Sequence, residues 1–286
     1  MRPVSIAPSI EAFAALTPTL PPATHTNSYA LGERDVLLVE PATPYDEERR
    51  AWLEWARTFP SRGRRLAGIL LTHHHEDHVG GAAFLARELD LPVLAHELTA
   101  EKLPEVPVSR RISEGEELVL EGPTPTRWTV LHTPGHAKGH VCLHERTLGA
   151  VVVGDMVATV GTILVDTRDG DMRVYIEQLE RLRDLGASVA LPAHGAPIPD
   201  PSALFSHYVQ HRRKREAKIL AALRAFGDPG ATIPELVPVA YDDTPEAAWP
   251  FAAMAVGAHL AKLREEGLST EDDGRYRALP ASGSTP

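Results

Sequence analysis

The chain has 286 residues, 43% apolar and 24% charged, with 29 basic against 39 acidic side chains and a net charge of −10. That length suits one large domain or a domain plus a small one, and the composition is that of a globular protein. The acidic balance does not draw a long polyanion to the molecule as a whole, the single cysteine Cys142 excludes an internal disulfide, and no stretch approaches a membrane span. The N-terminal apolar run Ala12–Leu16 is shorter than a secretion signal requires, so a cytoplasmic location without membrane contact is expected.

In chain order, residues 36–39 read as a strand, 46–58 as a helix, 67–71 as a strand and 82–89 as a helix. Residues 128–132, 141–144 and 150–153 read as three strands, 174–185 as a helix and 188–191 as a closing strand. Strands alternating with helices predict an α/β layered domain. After Pro197, Pro199 and Pro201 the pattern changes: 202–226 is one long helix carrying Arg212-Arg213-Lys214-Arg215, stopped by Gly227-Asp228-Pro229-Gly230. Two more helical patterns follow, 233–241 and 246–267, and then a turn at 272–276 between two short strands. That order predicts a winged-helix-like module over 200–280 behind a first domain over 1–199, with 281–286 a disordered tail.

The densest chemistry lies at Thr72-His73-His74-His75-Glu76-Asp77-His78, directly after an apolar strand. Read as His73-x-His75-x-Asp77-His78, it offers one metal ion two imidazoles and a second ion a carboxylate and an imidazole, donors that suit zinc, with manganese and iron as rivals. Three further donors, His136, Asp155 and His194, each stand at a strand-to-loop junction beside glycine. Such junctions anchor a side chain on a rigid strand while the loop aims it into a shared cleft.

This set resembles the metallo-β-lactamase superfamily. The resemblance implies a four-layer αβ/βα sandwich of two similar halves with two divalent metal ions at one sheet edge. His73, His75 and His136 would hold the first ion, Asp77, His78 and His194 the second, and Asp155 would bridge them, as in a glyoxalase-II-like dinuclear site. It also implies hydrolysis by a metal-bridging hydroxide without a covalent intermediate, with Asp77 orienting the nucleophile and taking its proton. Further stretches, among them Gly139-His140-Val141-Cys142-Leu143 and His259-Leu260-Ala261-Lys262-Leu263, are similar to the beta-lactamase-like protein 2 group over nearly the whole chain. Where that group usually places Asp in the turn after the early strand, this chain has Glu40, which is not a ligand position.

Three functions fit. The first is hydrolysis of a small-molecule ester or thioester, favoured by the acidic charge. The second is a single-strand-specific endoribonuclease, with single-stranded RNA as partner, for which the basic helix speaks. The third, least supported by an intact ligand set, is a non-enzymatic binding protein. His140 is a candidate catalytic or substrate-binding residue, or else a hydrogen-bond partner of a neighbour. His74 and Glu76 are expected to face solvent or pack locally, Lys138 to be solvated, and Tyr175 to pack in the core. The run 212–215 reads either as a solvated helix face or as an anion-binding wall, and the module carrying it as a lid over the cleft.

Overall fold

The computed structural model describes residues 3–280, so the tail 281–286 lies outside the described residues. An antiparallel run of β1 (Val4–Ala7), β2 (Ile10–Leu16), β3 (His25–Leu31) and β4 (Asp35–Val39) leads through α1 (Asp46–Ser61) to β5 (Arg65–Leu70). Helices α2 (Glu76–Val79) and α3 (Ala82–Leu89), strand β6 (Val93–His96), helix α4 (Glu97–Ala100) and strand β7 (Val108–Ile112) follow. These strands make one sheet in sequence order, parallel from β4 onward. The second sheet contains β8 (Glu117–Leu120), β9 (Thr126–His132), β10 (Val141–Glu145), β11 (Ala150–Gly154) and, after α5 (Met172–Arg183), β12 (Val189–Pro192). Its order is β12-β11-β10-β9-β8, with β12 parallel to β11.

Period-two alternation builds the layers, because successive strand side chains point to opposite faces. Val36 and Leu38 of β4 join Ile69 of β5 on the outer face under α1 and α3, while Leu37, Val39 and Leu70 face the second sheet. In β11, Val151 and Val153 point outward to α5, and Ala150 and Val152 inward. Both sheets are thus covered on both faces, which is why their central strands read as unbroken apolar runs. Helix α1 buries Trp52, Leu53, Trp55, Ala56 and Phe59, one stripe at helical spacing, and Trp55 stacks on Phe13 with centroids 5.3 Å apart. The result is the expected four-layer αβ/βα sandwich.

Strands β1–β3 and β6–β8 were not expected from the sequence. They are short or rich in Ala, Ser, Thr, Asn and Arg, residues whose strand preference is weak and depends on neighbours the chain supplies only after folding.

Helix α6 (Pro201–Phe226) starts at Asp200, whose side chain accepts from the Ala203 N–H, with Pro201 in the first turn. Its N-terminal half, through Phe205, Tyr208 and Val209, belongs to the core under the second sheet. Its C-terminal half, through Ile219, Ala222 and Leu223, belongs to a separate core with α7 (Ile233–Ala240) and α8 (Trp249–Glu265). A hairpin of β13 (Ser269–Asp272) and β14 (Arg275–Ala278) turns at Asp273-Gly274, both at positive φ, as a tight two-residue turn requires. Among the described residues no helix is long and apolar enough to cross a membrane.

The basic run is split between two faces: Arg213 and Lys214 are exposed, whereas Arg212 and Arg215 are packed inside. Arg212 is buried, donates to the Ile163 carbonyl and lies 5.4 Å from the Tyr175 ring centroid. Arg215 is buried over Tyr241 and pairs with Asp243 at 2.9 Å, while Arg213 pairs with Glu180 at 2.7 Å. Helical spacing turns Arg212 and Arg215 to one side, and that side is packed.

Candidate metal centre

All seven donors singled out in the sequence converge at one edge of the two sheets. The chain leaving β5 is tied to the second sheet by Val141, whose N–H donates to the Thr72 carbonyl at 2.9 Å. His73 and His75 follow at once, and Asp77 and His78 lie on the single turn of α2. His136 follows Gly135, whose φ is +130° and where a Cβ would sit 2.4 Å from the Tyr175 Cα, so only glycine lets the loop pass α5 this closely. Asp155 follows Gly154 at the end of β11, where a Cβ would meet His140 Nε2 at 2.6 Å. His194 follows β12, and Asn27 of β3 donates to the carbonyls of Pro192 and Gly195 on either side of it, at 3.0 and 2.7 Å.

The donors form two groups. His73 Nε2, His75 Nδ1 and His136 Nε2 lie 2.9–3.3 Å from one another. Asp77, His78 and His194 form the second group, with His194 Nε2 3.5 Å and His78 Nε2 3.8 Å from Asp77 Oδ2. Asp155 stands between them: Oδ1 is 3.5 Å from His78 and 3.3 Å from His194, and Oδ2 is 3.5 Å from His136. The partners of the far ring nitrogens set the tautomers. His136 Nδ1 donates to the Leu164 carbonyl at 2.8 Å, His194 Nδ1 to the His25 carbonyl at 3.0 Å, and His73 Nδ1 to Thr72 Oγ1 at 3.0 Å. Each then turns an Nε2 lone pair inward, the orientation a metal ligand needs.

The electrostatics fit cations. Burial and neighbouring imidazoles, His78 first, hold His73 well below the usual imidazole pKa; burial, then His136, brings His75 down to about 2. Those rings stay neutral and can ligate. In the other group burial opposes charging, yet Glu40, Asp155 and Asp77 raise His78, and Asp155 raises His194. Asp155 is held well below the carboxylate range against its burial by His194 and His78. Both ring nitrogens of His78, Asp155 Oδ1 and Glu40 Oε2 are buried without a hydrogen-bond partner. Buried polar atoms of this kind are costly unless something pairs with them. Two divalent cations among these nitrogens and carboxylates would do so, and the donor set therefore fits them.

Glu40 has more to do here than its sequence position suggested. It is buried at a φ of +58°, accepts from Thr72 Oγ1, and brings Oε1 within 3.3 Å of His78 Nδ1. No local pattern marks such a residue; only the left-handed turn after β4 swings it under the site. His140 is fully buried, with Nδ1 2.8 Å from Thr133 Oγ1 and Nε2 accepting from the Asp155 N–H at 3.1 Å. Both of its nitrogens are therefore engaged by protein. Tyr175 is buried as expected and donates to the Met156 carbonyl at 2.7 Å. Lys138 is exposed, His74 lies 3.8 Å from Asp169, and Glu76 stands exposed at the rim of the cleft.

His73 and His78 are fully buried, while the other five donors, His75, Asp77, His136, Asp155 and His194, line a cleft of ≈ 460 Å³. Its walls are the loops 18–23 and 158–169, which contribute Pro18, Leu20, Pro21, Val160, Ile163 and Leu164, with Asp166, Arg168 and Asp169 on one side. The sequence assigned these loops no role in the site, although Gly161-Thr162 and Asp169-Gly170 in the second are among the stretches similar to the beta-lactamase-like protein 2 group.

A four-layer sandwich with clustered His and Asp donors where strands end is the architecture of a metal-binding hydrolase. The chain belongs to the metallo-beta-lactamase superfamily, whose model matches residues 21–194, and the model of the beta-lactamase associated winged helix domain matches residues 232–277. A Beta-lactamase-like protein 2 homolog of Drosophila melanogaster is 33% identical over 208 residues, 70% of this chain and 68% of that protein. An atrochrysone carboxyl ACP thioesterase of Aspergillus fumigatus is 29% identical over 201 residues, 70% of this chain and 60% of that one. Among solved structures, a metallo-beta-lactamase family protein from Thermus thermophilus superposes with a TM-score of 0.78 at 27% identity, covering 96% of this chain and all of that one.

Proposed function

We propose that the protein is a dinuclear metal-dependent hydrolase of an ester or thioester with an apolar acyl part. His73, His75 and His136 would hold one ion, Asp77, His78 and His194 the other, and Asp155 both. The nitrogen-rich, mixed donor set favours zinc, with manganese or iron as alternatives. Bound there, two divalent ions supply ionisation of a water near neutral pH and polarisation of an acyl oxygen. Asp77 lines the cleft, where it can orient that water and accept its proton. His140 is a positioning residue: it fixes the Asp155 backbone and does not line the cleft. We also take residue 199 as the end of the metal-binding domain and α6 as the helix shared with the module behind it, in a cytoplasmic protein.

The cleft carries this reading. Apolar side chains form its walls, and Glu76, Asp166 and Asp169 line it against a single permanent cation, Arg168. An acyl chain is sheltered there, whereas a polyphosphate backbone meets carboxylates. The ribonuclease alternative keeps the resemblance and the exposed Arg213 and Lys214, but loses Arg212 and Arg215, which are committed to internal partners. The thioesterase among the relatives points the same way.

The test is to load the pure protein with zinc, and separately with manganese, and to time acyl-thioester hydrolysis beside cleavage of a labelled single-stranded RNA, with Asp77→Asn as control. Thioester turnover abolished in Asp77→Asn, with intact RNA, is the expected result. RNA cleavage that disappears in the same variant would overturn the proposal in favour of a nuclease. Arg168 adds a finer prediction. Its guanidinium pairs with Asp166 at 2.5 Å and remains mostly exposed at the cleft wall. Arg168→Ala should raise KM about 2–5-fold for a thioester bearing a phosphate or carboxylate, the scale of a mostly exposed charge contact. Neutral thioesters should be unaffected; an equal KM for both classes in the wild type and the variant would remove Arg168 from substrate binding.

A further inference from the structure

We infer that the C-terminal module is a positioning device for the first metal group, acting through the loop 156–165 and the main chain of Leu164. The inference rests on the reading of His136 as a metal ligand. Leu164 has two attachments of different kinds. Its carbonyl accepts the His136 Nδ1–H at 2.8 Å, and its side chain packs against the core formed by α6, α7 and α8. One residue earlier, the Ile163 carbonyl accepts from the buried guanidinium of Arg212 on α6. At the other end of the loop, the Tyr208 hydroxyl of α6 lies 3.1 Å from both the N–H and the carbonyl of Ala158, three residues beyond Asp155. Helix α6 therefore grips the loop at both ends, and the loop joins the bridging carboxylate to the carbonyl that orients His136.

A histidine ligand is aimed by whatever its second nitrogen donates to, and loss of that partner costs about 10–100-fold in metal affinity. Here the partner is a main-chain carbonyl, so no substitution at 164 deletes it. Its place is instead set by side chains of the shared helix α6 and by the core that α6, α7 and α8 form. A lid would act on substrate access; this arrangement acts on the metal.

The experiment measures the affinity of full-length protein for cobalt(II), by competition with a chromophoric chelator and by the visible ligand-field spectrum, in the wild type, Leu164→Ala, His136→Ala and the double variant. Leu164→Ala is expected to weaken one of the two bound ions about tenfold and to alter its spectrum. In the His136→Ala background the same change should have no further effect, which a general loss of packing would not reproduce. Arg212→Lys keeps the charge but loses the planar fork, and it should give the same one-site loss should Leu164→Ala fail to fold. Unchanged cobalt affinity in Leu164→Ala and Arg212→Lys, or an undiminished loss in the His136→Ala background, would overturn the inference. If His136→Ala itself binds cobalt as the wild type does, the ligand assignment fails first, and that result is distinct from the others.

Discussion

Asp155→Asn is expected to reduce kcat/KM at least a thousandfold, a loss of roughly 4 kcal/mol of transition-state stabilisation. The reason is geometric. Asp155 has an oxygen toward each donor group, 3.3 Å from His194 on one side and 3.5 Å from His136 on the other. An amide of the same shape would present at most one oxygen and no charge, so it could not serve both groups. Metal content read by elemental analysis after gel filtration should fall from two ions toward one, with the circular dichroism of the wild type retained. A variant that keeps two ions and full activity would remove Asp155 from the bridging position.

The second large effect is expected from His140→Ala. His140 is wholly buried, and the truncation leaves a cavity, an unpaired Asp155 N–H and a Thr133 hydroxyl with only the Cys142 thiol at 3.3 Å. Together these should lower stability by about 3 kcal/mol or more, visible as a lower Tm in the metal-free protein. Metal retention should weaken as well, because the Asp155 main chain is no longer anchored. At saturating metal, KM for a thioester should stay within about twofold of the wild type, since His140 does not line the cleft. A large rise in KM with little change in Tm would instead make His140 a substrate contact.

How much of this was legible in the chain depended on whether the signal was local. The His73–His78 cluster is local: its spacing alone places four donors within six residues. The strands that end at Asp155 and His194 were legible because they are buried on both faces and read as apolar runs, and the one leading to His136 because its second half does so. The sandwich, its two donor groups and the winged-helix module follow from those patterns and from the resemblance they support. The first strands of the large sheet were not legible. Their residues, such as Thr26, Asn27 and Ser28, are polar, yet they are turned inward to serve partners far along the chain.

By itself, then, the amino-acid sequence determined the donor set, the order of its four junctions and the layered α/β class, because periodicity and ligand chemistry are properties of neighbouring residues. Tertiary structure alone decided which groups answer them. Glu40 reaches His78 only through a left-handed turn, Arg212 is consumed by a carbonyl 49 positions away, and the carbonyl of Leu164 meets His136 because two separate cores hold the loop between them. Each of these depends on burial and on the meeting of distant segments, which no local spacing encodes.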